Sequence, residues 1–269
     1  MESFFQVDAF THKPFAGNTA GVIITESEWS PETMQTIATQ NNLPATAFVH
    51  FNNAGIQLRW FTVKKELALC GHATLASAHV LFSKGMIPVG NKIHFKTGKA
   101  DLYAWSENDW ITMDFPAYPC EAVEVPQELK SIFAEKFKSG YFTQDKFLIE
   151  LESENAVRNF VPDPNALAKY KCIITARTNA NSPYDFVSRF FDLPDGIPED
   201  AVTGSSHCSL ATFWSSRLGK KQLHAFQVSS RGGELKLVLD HQRVLISGQA
   251  LTIIEGTYLP FIQKEPHEN

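Results

Sequence analysis

Two short stretches carry side chains able to handle protons. Cys70-Gly71-His72 opens "CGHATLASAHVL", and Thr203-Gly204-Ser205 opens "TGSSHCSLATFW". Each sets a glycine between two residues with an S–H, N–H or O–H group, at the head of a helical pattern. A glycine there leaves the leading backbone N–H groups uncovered. Those groups, together with the helix dipole, attract a carboxylate or phosphate. An imidazole can shuttle a proton near neutral pH. A hydroxyl beside free N–H groups can stabilise negative charge as it develops. Taken singly, Gly71 and Gly204 need only permit tight strand-to-helix turns. Taken as a pair aimed at one cleft, they describe a site for a small anionic molecule.

The elements that must position these heads are legible around them. From His72 to Ser83 the chain is apolar nearly all round, as in a helix buried on every side. Its natural place is the axis of a curled sheet. Residue 203 stands 133 after residue 70, and the surroundings repeat at nearly that distance. "LRWF" (58–61) faces "SRFF" (188–191), "ADLYAW" faces "GELKLV", and "WITM" (110–113) faces "RVLI" (243–246). Three extra residues enter the second copy near "LPDGIPED". A period of half the chain signals a duplicated domain, since solenoid repeats are much shorter. Lys84-Gly85 and Leu218-Gly219 read as the two helix stops. "GVIIT", "TAFVHF", "IQLRWFTV", "NKIHFKT" and "WITMDF" read as strands in the first half. "KFLIEL", "KCIITA", "YDFVSRFF", "HAFQVSS", "ELKLVLD" and "RVLISG" read so in the second, with "FKSGYF" a connection around Gly140. "SPETMQTIATQNN" is a helix capped by Ser30, with Pro31 first and Asn41-Asn42 at its end. The expected fold is therefore α/β: two pseudo-symmetric lobes, each a sheet wrapped on a central helix. The lobes span about 1–116 and 117–255, and the segment 256–269 is expected to complete the first.

Bulk properties exclude several classes. The 269 residues are 43% apolar, enough for a full core without staples. The net charge of −5 is scattered, with no basic stripe for nucleic acid or an anionic membrane. Cys70, Cys120, Cys172 and Cys208 form no C-x-x-C pair, so no zinc ribbon or redox motif is indicated. The opening "MESFFQVDAF" lacks a signal-peptide pattern, and the expectation is a cytoplasmic protein. No nucleotide-loop motif and no metal-ligand spacing occur, so neither a cofactor nor a metal is expected. His79 reads as a satisfied core residue, and His207 as a brace for the second helix head.

"VDAFTHKPFAGNTAGV", "ELALCGHATLASAHVL", "DFPA" and "EDAVTGSSHCSLATFW" together resemble the phenazine-biosynthesis-protein family of isomerases. That family is similar to diaminopimelate epimerase and proline racemase. The resemblance implies two barrel-like lobes around central helices, related by a pseudo-twofold axis. It also implies cofactor-free proton transfer on a small carboxylate. By motif, His72, Asp200 and Ser205 match catalytic positions. Gly17, Asn18, Gly71, Thr203 and Gly204 match substrate-binding ones. Asp200 is expected to orient an imidazole or hold a substrate amine. A homodimer is the default for such a chain.

One position departs from the family. Its acid/base glutamate stands in a stretch like "NL-S-E-T-x-F", where this chain reads "NNLPATAFV" with Ala45 at the carboxylate position. A methyl group transfers no proton. Three readings stand open: another residue does the work, the chain binds without turnover, or it is an engineered inactive variant. Cys70 and Glu66 are the nearby replacements, with Cys70 also readable as a core cysteine and Glu66 as part of a charged turn. Cys70 aligns with a catalytic thiol of the epimerases, but Thr203 at the partner position removes a two-thiol mechanism.

Overall fold

Short β runs, some burying every second residue as in Trp110–Pro116 and some burying all as in Phe186–Asp192, make this a sheet-dominated α/β chain. The computed structural model describes residues 2–99 and 101–258. The first half runs β1 (Glu2–Ala9), β2 (Asn18–Thr25), α1 (Pro31–Asn41), β3 (Ala45–Asn52), β4 (Gly55–Phe61) and β5 (Glu66–Leu67). It continues through α2 (Gly71–Ser83), β6 (Ile93–Lys96), β7 (Leu102–Glu107) and β8 (Trp110–Pro116). After β9 (Glu121–Ala122) and α3 (Gln127–Phe133) come β10 (Phe137–Thr143), β11 (Lys146–Leu151), α4 (Glu154–Arg158) and α5 (Pro164–Leu167). Then follow β12 (Lys171–Arg177), β13 (Phe186–Asp192), β14 (Ile197–Asp200) and α6 (Gly204–Leu218). The chain closes with β15 (Gln222–Gln227), β16 (Gly233–Asp240), β17 (Arg243–Gly248) and β18 (Ala250–Tyr258).

The strand pairings repeat. In the first half β1–β2, β3–β4, β4–β5, β6–β7 and β7–β8 are antiparallel, while β2–β3 and β4–β6 are parallel. In the second half β10–β11, β12–β13, β13–β14, β15–β16 and β16–β17 are antiparallel, while β11–β12 and β13–β15 are parallel. The halves join where β8 pairs with β17. They also exchange strands: β9, which follows β8, lies on β10, and β18, which follows β17, lies on β1. Residues 250–255, allotted to the second lobe by sequence, therefore lie along β1. Of the expected completing segment 256–269, residues 259–269 fall outside the described residues.

The central helices sit where an all-round apolar pattern puts them. Alternate residues such as Ile111, Met113 and Phe115 of β8 point into the core around α2 and α6. Two buried hydroxyls of α2 bond to their own backbone: Thr74 Oγ1 donates to Cys70 O and Ser77 Oγ to Ala73 O, each at 2.7 Å. On α6, Trp214 stacks on Phe186 with ring centroids 5.5 Å apart, and its indole N–H donates to Thr175 Oγ1 at 3.0 Å. These two contacts fix the roll of α6 and hence the direction of its first turn. Helix α1 has its expected cap, with Ser30 Oγ accepting from Thr33 N and Asn42 in a left-handed C-cap.

Sequence reading missed some elements. "FKSGYF" is strand β10, not a connection. A Cβ on Gly140 would meet Val125 at 2.0 Å, so the glycine lets the segment before α3 pass over the strand. Helices α3 to α5 span four to seven residues and lack the length to show a period. His79 Nε2 reaches Thr252 Oγ1 at 3.1 Å, and His207 Nδ1 reaches Thr203 O at 2.8 Å, bracing the head of α6.

Candidate active site

The heads of α2 and α6 meet. A Cβ built on Gly71 would lie 3.0 Å from Gly204 Cα, and one on Gly204 would lie 3.1 Å from Gly71 Cα. Only glycine permits this approach from both sides. The two N-cap residues share one extended geometry, Cys70 at φ −144, ψ 102 and Thr203 at φ −116, ψ 100. Neither gives its helix a side-chain cap bond. The residues at both heads, Gly71 and His72 with Gly204 and Ser205, line a cavity of about 820 Å³ walled by both lobes.

Asn18, Cys70, Gly71, His72, Asp200, Thr203, Gly204 and Ser205 all line that cavity. Asp200 ends β14, three residues before the α6 N-cap turn completes. Its Oδ1 accepts from Asn18 Nδ2 at 2.7 Å and its Oδ2 from Thr203 Oγ1 at 2.5 Å. Gln227 holds the turn, accepting from Thr203 N at 2.9 Å and donating to Asp200 O at 2.7 Å. Burial pushes the Asp200 carboxyl up to about 6, against the lowering effect of Thr203 and Asn18. The imidazole of His72 lies beside Cys70, with Nδ1 at 3.6 Å from Sγ. Burial lowers His72 to about 4 and raises the Cys70 thiol to about 12, so at neutral pH both are uncharged. Of the two roles expected for Asp200, orienting an imidazole is not what it does here, since Asn18 and Thr203 hold its carboxylate; holding a substrate amine stays open.

Three expected residues stand apart from the cavity lining. Gly17 has φ +67; its N–H donates to Gly232 O at 2.8 Å and its carbonyl accepts from Arg231 Nε at 2.7 Å. It serves a turn, and its backbone groups are committed within the protein. Ala45 opens β3 opposite Ala20, fully buried in the core around α2, although its neighbours Leu43 and Pro44 line the cavity. Glu66 pairs with Arg59 at 2.7 Å.

Sequence reading missed the cations of the rim. Lys65 Nζ bridges to Asp195 Oδ1 at 2.8 Å and Lys64 Nζ reaches Asp195 O at 3.3 Å, tying the turn after β4 to the turn before β14. Lys171 and Lys65 hold the Asp195 carboxyl down at about 2. Arg231 pins the loop before β2 through Asp8 Oδ1, Ala16 O and Gly17 O. No local pattern marks these residues, because their partners lie far along the chain. Among the described residues no group of three His, Cys, Asp or Glu is placed to hold a metal, and no helix is long and apolar enough to cross a membrane.

A family model for phenazine biosynthesis-like proteins matches residues 7–256. The chain belongs to the phenazine biosynthesis-like family. It is 45% identical over 260 residues to an uncharacterized isomerase of Pseudomonas aeruginosa, covering 94% of this chain and 97% of the relative. It is 36% identical over 281 residues to the human phenazine biosynthesis-like domain-containing protein, covering 94% and 97%. The crystal structure of a phenazine biosynthesis family protein from Enterococcus faecalis superposes with a TM-score of 0.89 at 35% identity, covering 96% of this chain and 99% of that one. A probable proline racemase from Agrobacterium radiobacter shares the fold alone, with a TM-score of 0.68 at 8% identity over 98% and 94% of the two chains. In this chain the heads of the paired central helices wall the cavity, and Asp200 lines it beside them.

Proposed function

We propose that the chain is a cofactor-independent isomerase that moves a proton on a small carboxylate held between the heads of α2 and α6. The contact of Gly71 with Gly204 over a two-walled cavity carries this reading. Two helix heads without side-chain caps meet there, and a carboxylate is the ligand that uncapped helix N-termini suit. Asp200 is the base. Its carboxyl at about 6 titrates near working pH, which is where a general acid/base is most effective. The thiol at about 12 and the imidazole at about 4 are each far from that range. Asp200 takes a proton from substrate carbon and returns it to the same or a conjugated carbon, so atoms and charge balance over the cycle. Ser205 and the helix N–H groups stabilise the negative charge formed between the two steps. Neutral His72 donates a hydrogen bond or relays the proton.

One observation favours a second reading. Ala45 is a buried methyl group at the position where the family resemblance implies a glutamate. A protein that kept the cleft and lost its base would bind carboxylates without turnover. A panel of small carboxylates in deuterated water, followed by NMR, separates the two. Under the first reading a bound carboxylate gains solvent deuterium, and Asp200→Asn slows that exchange about 10²–10⁴-fold. Binding with no exchange establishes the second. Ala45→Glu tests the position itself, since a vacated base site regains exchange when the carboxyl returns.

A further inference from the structure

Gln227 ends β15, fully buried behind the Asp200–Thr203 turn and outside the lining of the cavity. Its amide makes three hydrogen bonds. Oε1 accepts from Thr203 N at 2.9 Å, while Nε2 donates to Asp200 O at 2.7 Å and to Thr203 Oγ1 at 3.3 Å. A main-chain N–H can only donate and a carbonyl can only accept, so the two backbone partners fix which way the amide faces. One amide proton is then left for the Thr203 hydroxyl. With its oxygen engaged as an acceptor, that hydroxyl gives its single proton to Asp200 Oδ2 at 2.5 Å. Hydrogen bonds in series strengthen one another. The series therefore runs from Gln227 through Thr203 to the one carboxyl that stands beside both helix heads.

We propose that Gln227 is a positioning residue for the reaction: it holds the Thr203 hydroxyl on the Asp200 carboxylate and so keeps that base in its proton-accepting form, without touching substrate. This rests on the reading of Asp200 as the base. Burial favours the protonated carboxyl, and the bonds from Thr203 and Asn18 oppose it. Asn18 serves the other oxygen, Oδ1, and its amide is oriented by Val202 O, independently of Gln227. Loss of Gln227 therefore weakens one of two bonds that favour the anion, and Asp200 holds its proton more tightly. The titratable and charged groups around Asp200 are otherwise untouched: Asp192 of β13, Glu199 of β14, neutral Cys70 and His72 at the head of α2, neutral His207 of α6, and Arg231 across the cavity.

The test is an NMR titration, without ligand, of protein isotope-labelled at the aspartate carboxyl carbons. The Asp200 resonance is the one missing from Asp200→Asn. Gln227→Met keeps the length of the side chain and removes its three bonds. Its Asp200 midpoint should rise by about one pH unit, a tenfold gain in proton affinity, and the acid limb of carboxylate exchange should move with it. Thr203→Val should raise the midpoint alike, the double variant should raise it no further, and Thr203→Ser should keep it near the wild type. A midpoint unmoved or lowered in Gln227→Met, with only Tm reduced, overturns the inference and leaves Gln227 a purely structural residue. Additive shifts overturn it as well, because Gln227 then acts by a route other than the hydroxyl. No exchange by the wild type overturns the base, and the catalytic sense of this inference with it, whatever the midpoints do. Should Gln227→Met not fold, the Gln227 side-chain N–H resonances decide: they should titrate with Asp200 in the wild type and respond less in Thr203→Val. Resonances that stay flat in the wild type, or respond equally in Thr203→Val, overturn the series.

Discussion

Replacing Gly71 with alanine probes the contact on which the site depends. Neither Gly71 nor Gly204 has a left-handed φ, so alanine meets no backbone strain there and only space is at stake. The new methyl would sit 3.0 Å from Gly204 Cα, whereas ordinary contact begins at 3.4 Å. The helix heads must part by some 0.4 Å, and both are backbone at the packed axis of their lobes. Overpacking of this kind costs about 1–3 kcal/mol. For a chain of this size that lowers Tm by roughly 2–10 °C. The same parting moves the leading N–H groups off their common ligand and should slow carboxylate exchange on the order of tenfold, given that a 1 Å misplacement costs about a hundredfold. Gly204→Ala should behave alike, its methyl lying 3.1 Å from Gly71 Cα. Because both variants load one contact, the double variant should depart from additivity by at least about 0.5 kcal/mol. Thermal melts of the four proteins, with exchange measured in deuterated water, give every term. Single variants that melt and exchange as the wild type does, with additive effects, would refute the facing-heads arrangement.

Gly17→Ala should be more damaging than either, because φ is +67 and the methyl would lie 2.2 Å from the Ala9 carbonyl, a backbone atom that cannot swing away. A loss above about 2 kcal/mol by urea denaturation is expected, and a near-neutral result would contradict the turn geometry. Asp200 should tilt stability with pH. Its folded carboxyl stands at about 6 against 3.8 ordinarily, so the folded chain holds that proton more tightly than the unfolded one. Its contribution is full below pH 3.8 and lost as pH rises through about 6; the Asp200→Asn variant should gain on the wild type across that window, and a constant gap would argue against the shift. Lys65→Met breaks an exposed pair with Asp195, and a cost of at most about 1 kcal/mol that vanishes in high salt is expected from melts at two ionic strengths. A loss that salt does not alter would mean that the rim pair acts by packing.

What the sequence made visible follows the range of each signal. The two buried helices and their glycines are local patterns, and a constant spacing linked them into a duplication. Strands β2 to β4 and β11 to β13 announce themselves by β-branched and aromatic runs. The duplication suggested that the C-terminal segment returns to the first lobe, but its pairing partner and the place where β18 begins have no local signature, since β1 meets β18 some 250 residues later. The same holds for the Asn18–Asp200 bond and for the Lys65–Asp195 tie across the rim. Gly17 illustrates the converse. Its motif suggested a ligand contact, and only its positive φ and committed backbone groups assign it to the turn.

The duplicated scaffold carries an unequal set of groups, and on the proposed mechanism that inequality selects the kind of isomerisation. Cys70 corresponds to Thr203, Gly71 to Gly204 and His72 to Ser205, each 133 residues apart. At the same interval Asp200 corresponds to Leu67, the last residue of β5, and both line the cavity. One wall thus offers a carboxyl at about 6, and the matching place on the other offers an apolar side chain. Inverting a stereocentre by opposed acid and base requires a proton-handling group on each face. The facing wall has a thiol at about 12 and an imidazole at about 4, neither able to share protons evenly with Asp200. A single carboxyl that lifts a proton and sets it down on the same face of the substrate fits this arrangement, and such a transfer shifts hydrogen between carbons instead of inverting one. Stereochemical analysis of the deuterated product distinguishes the two: delivery to the face of abstraction accords with one working wall, and delivery to the opposite face requires a second acid that the Leu67 side would have to supply.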